Sequence, residues 1–263
     1  MSKDGTSIAY EREGSGPAVI LVGGGLDDGW ENAPLVPELA TWFTVVNYAR
    51  RGRGRSGNTP PYAVPREIED IEALIAEVGG TVHLYGVSSG GALVLEAAAA
   101  GVAVDRLAVY EVPYSVADDA AARWQAYVAE LGPTLADGRP GEALALFMRL
   151  AGSSNEDIAA ARSSPYWAGG EALSHTLAYD AACLGDGRPP VARLARIMQP
   201  TLVLTGQAGL DPHTLGFGLD FFDLAADAIA SGVPHAQRLV LRGQTHVADP
   251  AVVAATLKRY FTG

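Results

Sequence analysis

Only one cysteine, Cys183, occurs among the 263 residues. It excludes an internal disulfide and any cysteine-based zinc site. No apolar run approaches the ~18 residues that a membrane helix needs, and the longest dense stretch is broken by Glu96. The first residues, Met-Ser-Lys-Asp-Gly-Thr, carry no hydrophobic signal segment. With the single cysteine, this leads to the expectation of a cytoplasmic protein. Positive charge is in short supply: 19 Lys and Arg stand against 30 Asp and Glu, a net charge of −11. That balance argues against nucleic acid or an anionic membrane as the main partner and says little about a small-molecule substrate. The 31 glycines and 16 prolines are under a fifth of the chain, below the ~25–30% that marks low-complexity sequence. The histidines share no metal-ligand spacing, so no metal is expected, and no cofactor either.

What is present suffices for a full core, since 48% of residues are hydrophobic and 19% charged. Short β-branched runs alternate with longer helical patterns, which predicts an α/β fold with a mostly parallel sheet flanked by helices. Ser7–Arg12 alternates and reads as a strand of an edge hairpin, turned by Gly14-Ser15-Gly16-Pro17 into Ala18–Val22. That second run is apolar at every position, as a strand buried on both faces would be. Further strands are predicted at Thr44–Tyr48, Val82–Tyr85, Leu107–Tyr110, Thr201–Thr205 and Arg238–Leu241, with helices at Arg66–Val78, Ser89–Ala100, Leu219–Ala230 and Ala251–Tyr260. From Val112 to Gln199 no strand pattern appears, but several helix-length stretches do. A structureless loop of that length is improbable, so an inserted helical subdomain is expected at 112–199, with the core domain formed by 1–111 and 200–263. It should hang over the C-terminal edge of the sheet, where open α/β sheets bind ligands.

Gly86-Val87-Ser88-Ser89-Gly90 matches G-x-S-x-G between a predicted strand and a predicted helix. A strand-to-helix turn this tight holds the serine in a strained conformation and lifts its Oγ clear of the backbone. Glycine is needed on either side because side chains there would collide. Chance would produce the pattern roughly 0.02 times in a chain of this composition, before its context is considered.

With that motif, the sequence resembles the α/β-hydrolase fold over nearly its whole length, including a helical cap inserted after the sixth strand of that fold. The resemblance implies a nucleophile–acid–histidine triad in that chain order. Ser88 matches the nucleophile, and Gln244-Thr245-His246 follows the last strand, where the family places its histidine. Gly23-Gly24-Gly25-Leu26 follows the first central strand, where the family carries a His-Gly-x stretch; here Gly23 replaces the histidine. By that alignment the backbone N–H groups of Gly25 and Ser89 form the oxyanion hole. Two carboxylates occupy positions that the family uses for the acid. Asp211 follows the strand Thr201–Thr205, the commoner site, but after a loop about two residues longer than usual. Glu111 follows directly on Leu107–Tyr110. The commoner position favours Asp211.

Tyr48-Ala49-Arg50-Arg51-Gly52-Arg53-Gly54-Arg55-Ser56-Gly57 is similar to the family's Asp-x-Arg-Gly-x-Gly-x-Ser stretch, with Ala49 in place of the aspartate. Its G-x-G-x-x-G spacing does not make it a dinucleotide site, because Asn58-Thr59-Pro60-Pro61 cannot open the helix that would receive the pyrophosphate. A phosphate-binding loop built on the arginines is the lesser reading. His83 and His235 read as packing and loop residues, His175 as a surface residue of the insertion, and His213 as a weaker rival to His246. Among the aromatics of the insertion, Trp124, Trp167, Tyr114 and Phe147 are the candidates to line an apolar substrate pocket. The expected activity is serine hydrolysis of a carboxylic ester, lactone or thioester of a hydrophobic small molecule. The same triad serves carbon–carbon bond hydrolases, cofactor-free haloperoxidases and lyases, and a non-hydrolytic binding or tailoring protein could retain it. Epoxide hydrolases and haloalkane dehalogenases of this fold place an aspartate at position 88.

Overall fold

The computed structural model describes residues 1–207 and 214–263. Its sheet has seven strands in the order β1-β3-β2-β4-β5-β6-β7. These are β1 (Tyr10–Gly14), β2 (Ala18–Val22), β3 (Thr44–Tyr48), β4 (Val82–Val87), β5 (Arg106–Tyr110), β6 (Thr201–Gln207) and β7 (Ala236–Arg242). All pairings are parallel except β1 with β3. The edge hairpin expected at the N-terminus is therefore not formed. β2 is buried throughout and flanked by parallel β3 and β4, which leaves no free edge beside it, so the mostly exposed β1 pairs with β3 instead.

Side chains of β2 alternate between two cores, as a pleated strand requires. Val19 and Leu21 pack with Leu35 and Leu39 of α1 (Leu35–Leu39) and with Val253 and Leu257 of α11 (Pro250–Thr262). Ile20 and Val22 face the opposite layer, with Ile71 and Leu74 of α2 (Val64–Val78), the apolar side of α3 (Ser89–Ala99), and Ala225 and Ile229 of α10 (Phe221–Gly232). The segment between β5 and β6 is helical: α4 (Asp118–Ala136), α5 (Pro140–Leu150), α6 (Asn155–Arg162), α7 (Trp167–Leu173), α8 (Leu177–Leu184) and α9 (Val191–Leu194). It follows the fifth strand of this sheet rather than a sixth. Its last two helices pack on the core helices: α8 on α2 and α3, α9 on α3 and α10.

Parallel register gathers chain ends at one edge. Val22 lies opposite Gly86, Val87 opposite Tyr110, and Tyr110 opposite Leu204. The Gly23–Gly25 loop, Ser88 and Glu111 consequently leave neighbouring strands side by side at the C-terminal edge.

The arginines after β3 do not form a phosphate-binding loop. Arg50, Arg51 and Arg53 are at most 1% exposed. Arg50 makes a two-bond fork with Glu67 of α2, at 2.8 Å each, and Arg51 another with Asp70, at 2.8 and 2.7 Å. Arg50 and Arg53 also reach Oδ1 of Asp180 on α8, at 2.8 and 2.7 Å. Although Glu67 is fully buried, which disfavours charge, Arg50 and Arg53 hold its carboxyl below the usual range. Only Arg55 projects into solvent, 3.9 Å from Glu11.

Removing one partner of a buried pair strands the other charge and typically costs about 3–5 kcal/mol. Glu67→Ala should lose stability of that order in urea denaturation, whereas the surface substitution Arg55→Ala should stay within about 0.5 kcal/mol. Equal small effects would show that the buried cluster is not a structural anchor.

Candidate active site

Ser88 occupies the turn between β4 and α3 with φ 53° and ψ −127°. This left-handed conformation is unfavourable for a residue with a side chain. Its N–H donates to the carbonyl of Tyr110 at 2.9 Å, and Gly91 N–H donates back to its carbonyl at 3.0 Å. A side chain at Gly86 would place its Cβ 2.6 Å from the carbonyl oxygen of Gly90, which explains why the turn needs glycine there. Ser89 opens α3, and neither its N–H nor that of Gly25 is spent on a backbone carbonyl among the described residues. Two donors thus remain beside the serine, one of them at the start of a helix, where partial positive charge accumulates.

Glu111 leaves β5 with a second left-handed backbone, φ 47°. Its N–H donates to Leu204 carbonyl at 3.0 Å, and its Oε1 accepts Gly206 N–H at 2.7 Å. The other oxygen, Oε2, lies 2.7 Å from Nδ1 of His246. Only 6% of the Glu111 side chain is exposed, so the carboxylate is bound on both oxygens in a dry position. The Phe222 ring stacks on the imidazole with centroids 5.0 Å apart and fixes its plane. Tyr110 Oη donates to the carbonyl of Thr245 and ties the histidine loop to β5. Asp211 and His213 lie outside the described residues.

Ser88, Ser89, Gly25 and His246 line a common cavity of about 360 Å³. Trp124 and Phe147 are on its wall, with Tyr127, Leu177 and Phe221. The other two aromatic candidates are elsewhere. Tyr114 is wholly buried in the core because the chain turns inward after β5. Trp167 packs within the insertion beside Gly141 of α5, under the Arg162 guanidinium at 4.8 Å. His83 stacks on Phe261 at 4.6 Å in the core, and burial lowers its pKa. His175 is bound to the carbonyl of Ala172. Burial pushes the Cys183 thiol up to about 12, which keeps it protonated and unreactive.

Arg50 and Arg53 bind the carbonyls of Gly23 and Gly24 and so hold the glycine loop, a role other than the one weighed for them in the sequence. Two contributors, Asp180 and Glu31, were not singled out there. Asp180 lines the cavity. Glu31 accepts the Gly24 N–H at 2.8 Å on the cavity wall. Burial, then the nearby Asp27, raises the pKa of Glu31. No local pattern announces them, since their partners lie in other elements.

A serine on a strained strand-to-helix turn, a histidine held by a carboxylate and two free amides, with the serine, the histidine and the amides on one cavity at the edge of a parallel sheet, are features of the class of α/β hydrolases. The sequence profile described as the alpha/beta hydrolase family matches residues 18–256, and the chain belongs to that family. It is similar to a crystal structure of an alpha/beta hydrolase from Sphaerobacter thermophilus, with 44% identity and a TM-score of 0.85 over 99% of this chain and 98% of that one. An esterase from Thermogutta terrifontis shares the fold, with a TM-score of 0.69 at 20% identity over 97% and 93% of the two chains. Among curated relatives, an uncharacterized hydrolase, YraK of Bacillus subtilis, is 35% identical over 96 residues, and a zearalenone hydrolase of Cladophialophora bantiana 31% over 102. Those matches span little more than a third of either relative, 35% and 38%, and 35% and 36% of this chain.

The raised pKa of Glu31 sets a pH dependence. The folded protein binds this proton more tightly than the unfolded chain, so the group stabilises below the ordinary carboxylate range and loses that contribution as pH rises through the raised value. Glu31→Gln should therefore melt higher than the parent at neutral pH, by about 2–4 °C if about 1 kcal/mol is recovered. The difference should vanish in acid. A gap independent of pH would contradict the assignment.

Proposed function

We propose that the protein is a serine hydrolase cleaving a carboxylic ester, lactone or thioester of a hydrophobic small molecule. The observation that carries the reading is the 2.7 Å approach of Glu111 Oε2 to His246 Nδ1, with His246 and the strained Ser88 facing one cavity. The Nδ1–H donates to Glu111, which leaves Nε2 as the base that takes the Ser88 Oγ proton. The alkoxide attacks the carbonyl, and the oxyanion is received by the N–H groups of Gly25 and Ser89, each such donor typically worth ~2.7–4 kcal/mol in the transition state. The imidazolium then protonates the leaving group. Water, deprotonated by the same nitrogen, releases the acyl group from Ser88. Helices between 112 and 199 act as a cap, whose Trp124 and Phe147 contact the apolar part of the substrate.

A fluorophosphonate probe tests the nucleophile. The adduct should map to Ser88 by peptide mass spectrometry and disappear in a folded Ser88→Ala; an adduct that persists there defeats the reading. Turnover of p-nitrophenyl esters of graded chain length should fall about 10⁴-fold in Glu111→Gln, the scale of loss when a serine protease triad is deprived of its orienting acid. Trp124→Ala should shift the preferred acyl length by roughly 1–3 kcal/mol of discrimination. An unchanged length profile would place the acyl group elsewhere.

A further inference from the structure

Asp180 is 6% exposed and is bound very unevenly. Its Oδ1 accepts from Arg50 at 2.8 Å, from Arg53 at 2.7 Å and from Ser89 Oγ at 2.8 Å. Its Oδ2, also buried, has no hydrogen-bond partner among the described residues. Asp180 is on the cavity wall, and Oδ2 lies 3.5 Å from where a Cβ on Gly25 would stand, with Phe147 Cζ 3.9 Å from the same point. A buried carboxylate oxygen without a donor is costly and calls for an explanation. The arginines do not supply one: Arg50 is committed to Oδ1, to the Gly23 carbonyl and to Glu67, and Arg53, bound to Oδ1 and to the Gly24 carbonyl, keeps an Nε–H that is itself without a partner and does not reach Oδ2.

We infer that Asp180 Oδ2 is a recognition site for a neutral hydrogen-bond donor on the acyl part of the substrate, a hydroxyl or N–H close to the reacting carbonyl. The inference rests on the serine-hydrolase reading for the placement of that carbonyl at Gly25 and Ser89. Formal charge in the cluster cancels, Arg50 and Arg53 against Glu67 and Asp180. The free oxygen therefore suits a neutral donor and does not require a cation. A carboxylate on the ligand would be repelled, with Glu31 on the same wall adding to the repulsion. Phe147 beside this point accepts the carbon chain that carries the donor. Asp180 is thus a specificity residue: it acts on which acyl group binds and takes no part in bond making.

Methyl β-hydroxyoctanoate, methyl β-methoxyoctanoate and methyl octanoate separate donor, bulk and chain. The wild-type protein should favour the hydroxy ester in kcat/KM by about tenfold or more over both others, as expected for a hydrogen bond to a charged group. The corresponding primary amides, titrated by NMR, should bind in the same order. In Asp180→Asn the arginines keep the amide oxygen at the Oδ1 position, so the NH₂ group faces the cavity. Either ligand oxygen can accept from it, and the hydroxy-over-methoxy ratio should fall close to unity. Equal affinity of wild-type protein for hydroxy and methoxy amides would overturn the inference even if the variant fails to fold; it would mean that water alone satisfies Oδ2. A preference that survives in a folded Asp180→Asn overturns it too. Selective amide binding without ester turnover would uphold this inference while contradicting the hydrolase reading. Equal turnover of all three esters would do the reverse.

Discussion

Two buried guanidiniums organise the molecule. Arg50 and Arg53 leave the end of β3 and are taken out of water almost completely. A charge in that position must be neutralised by partners with good geometry or the fold does not tolerate it. Glu67 supplies one carboxylate from α2, and Asp180 supplies the other from α8, across 130 and 127 residues of sequence from the two arginines. The same guanidiniums bind the carbonyls of Gly23 and Gly24. The requirement to neutralise these charges therefore fixes the glycine loop, α2 and the helical insertion relative to one another. The stacked rings of Tyr62 and Tyr179, 3.8 Å apart, and the Tyr62 hydroxyl on Glu67 extend the same junction.

The chemistry is assembled around this anchor with little further material. Among the described residues three non-glycine residues have positive φ: Ser88, Glu111 and Leu26, which directly follows the glycine loop. Each such backbone typically stores about 1–3 kcal/mol, held by the surrounding hydrogen bonds. Those bonds come from neighbouring strands: Ser88 N–H to Tyr110, and Glu111 N–H to Leu204. The parallel sheet thus supports both the serine and the carboxylate, and the Glu111 side chain passes that rigidity to His246.

The fold was largely legible because its signals are local. Alternation, apolar runs and glycine punctuation locate the strands, and the elbow pattern is complete within Gly86–Gly90. Helix α6 begins at Asn155 behind the Ser154–Asp157 capping box, a signal that is likewise local. What failed to show depends on register or on distant partners. That Glu111 reaches His246 follows from the alignment of β5 with β6 and the path of the loop after β7, neither encoded near Glu111. The destination of the arginines was hidden for the same reason, since Asp180 is one carboxylate among many until α8 docks on α2 and α3. Trp124 and Trp167 look alike in sequence, but only the helix faces of the insertion place one on the cavity and the other under Arg162.

In the proposed mechanism Glu111 orients and polarises His246 for Ser88. The proton NMR signal of the His246 Nδ1–H, assigned by ¹⁵N labelling and by its absence in His246→Ala, reports on that bond. A short bond to a buried carboxylate predicts a strongly downfield proton that is protected from exchange and is lost or moved sharply upfield in a folded Glu111→Gln. A downfield His246 proton that stays in place in Glu111→Gln would contradict the account, because another group would then be holding the histidine.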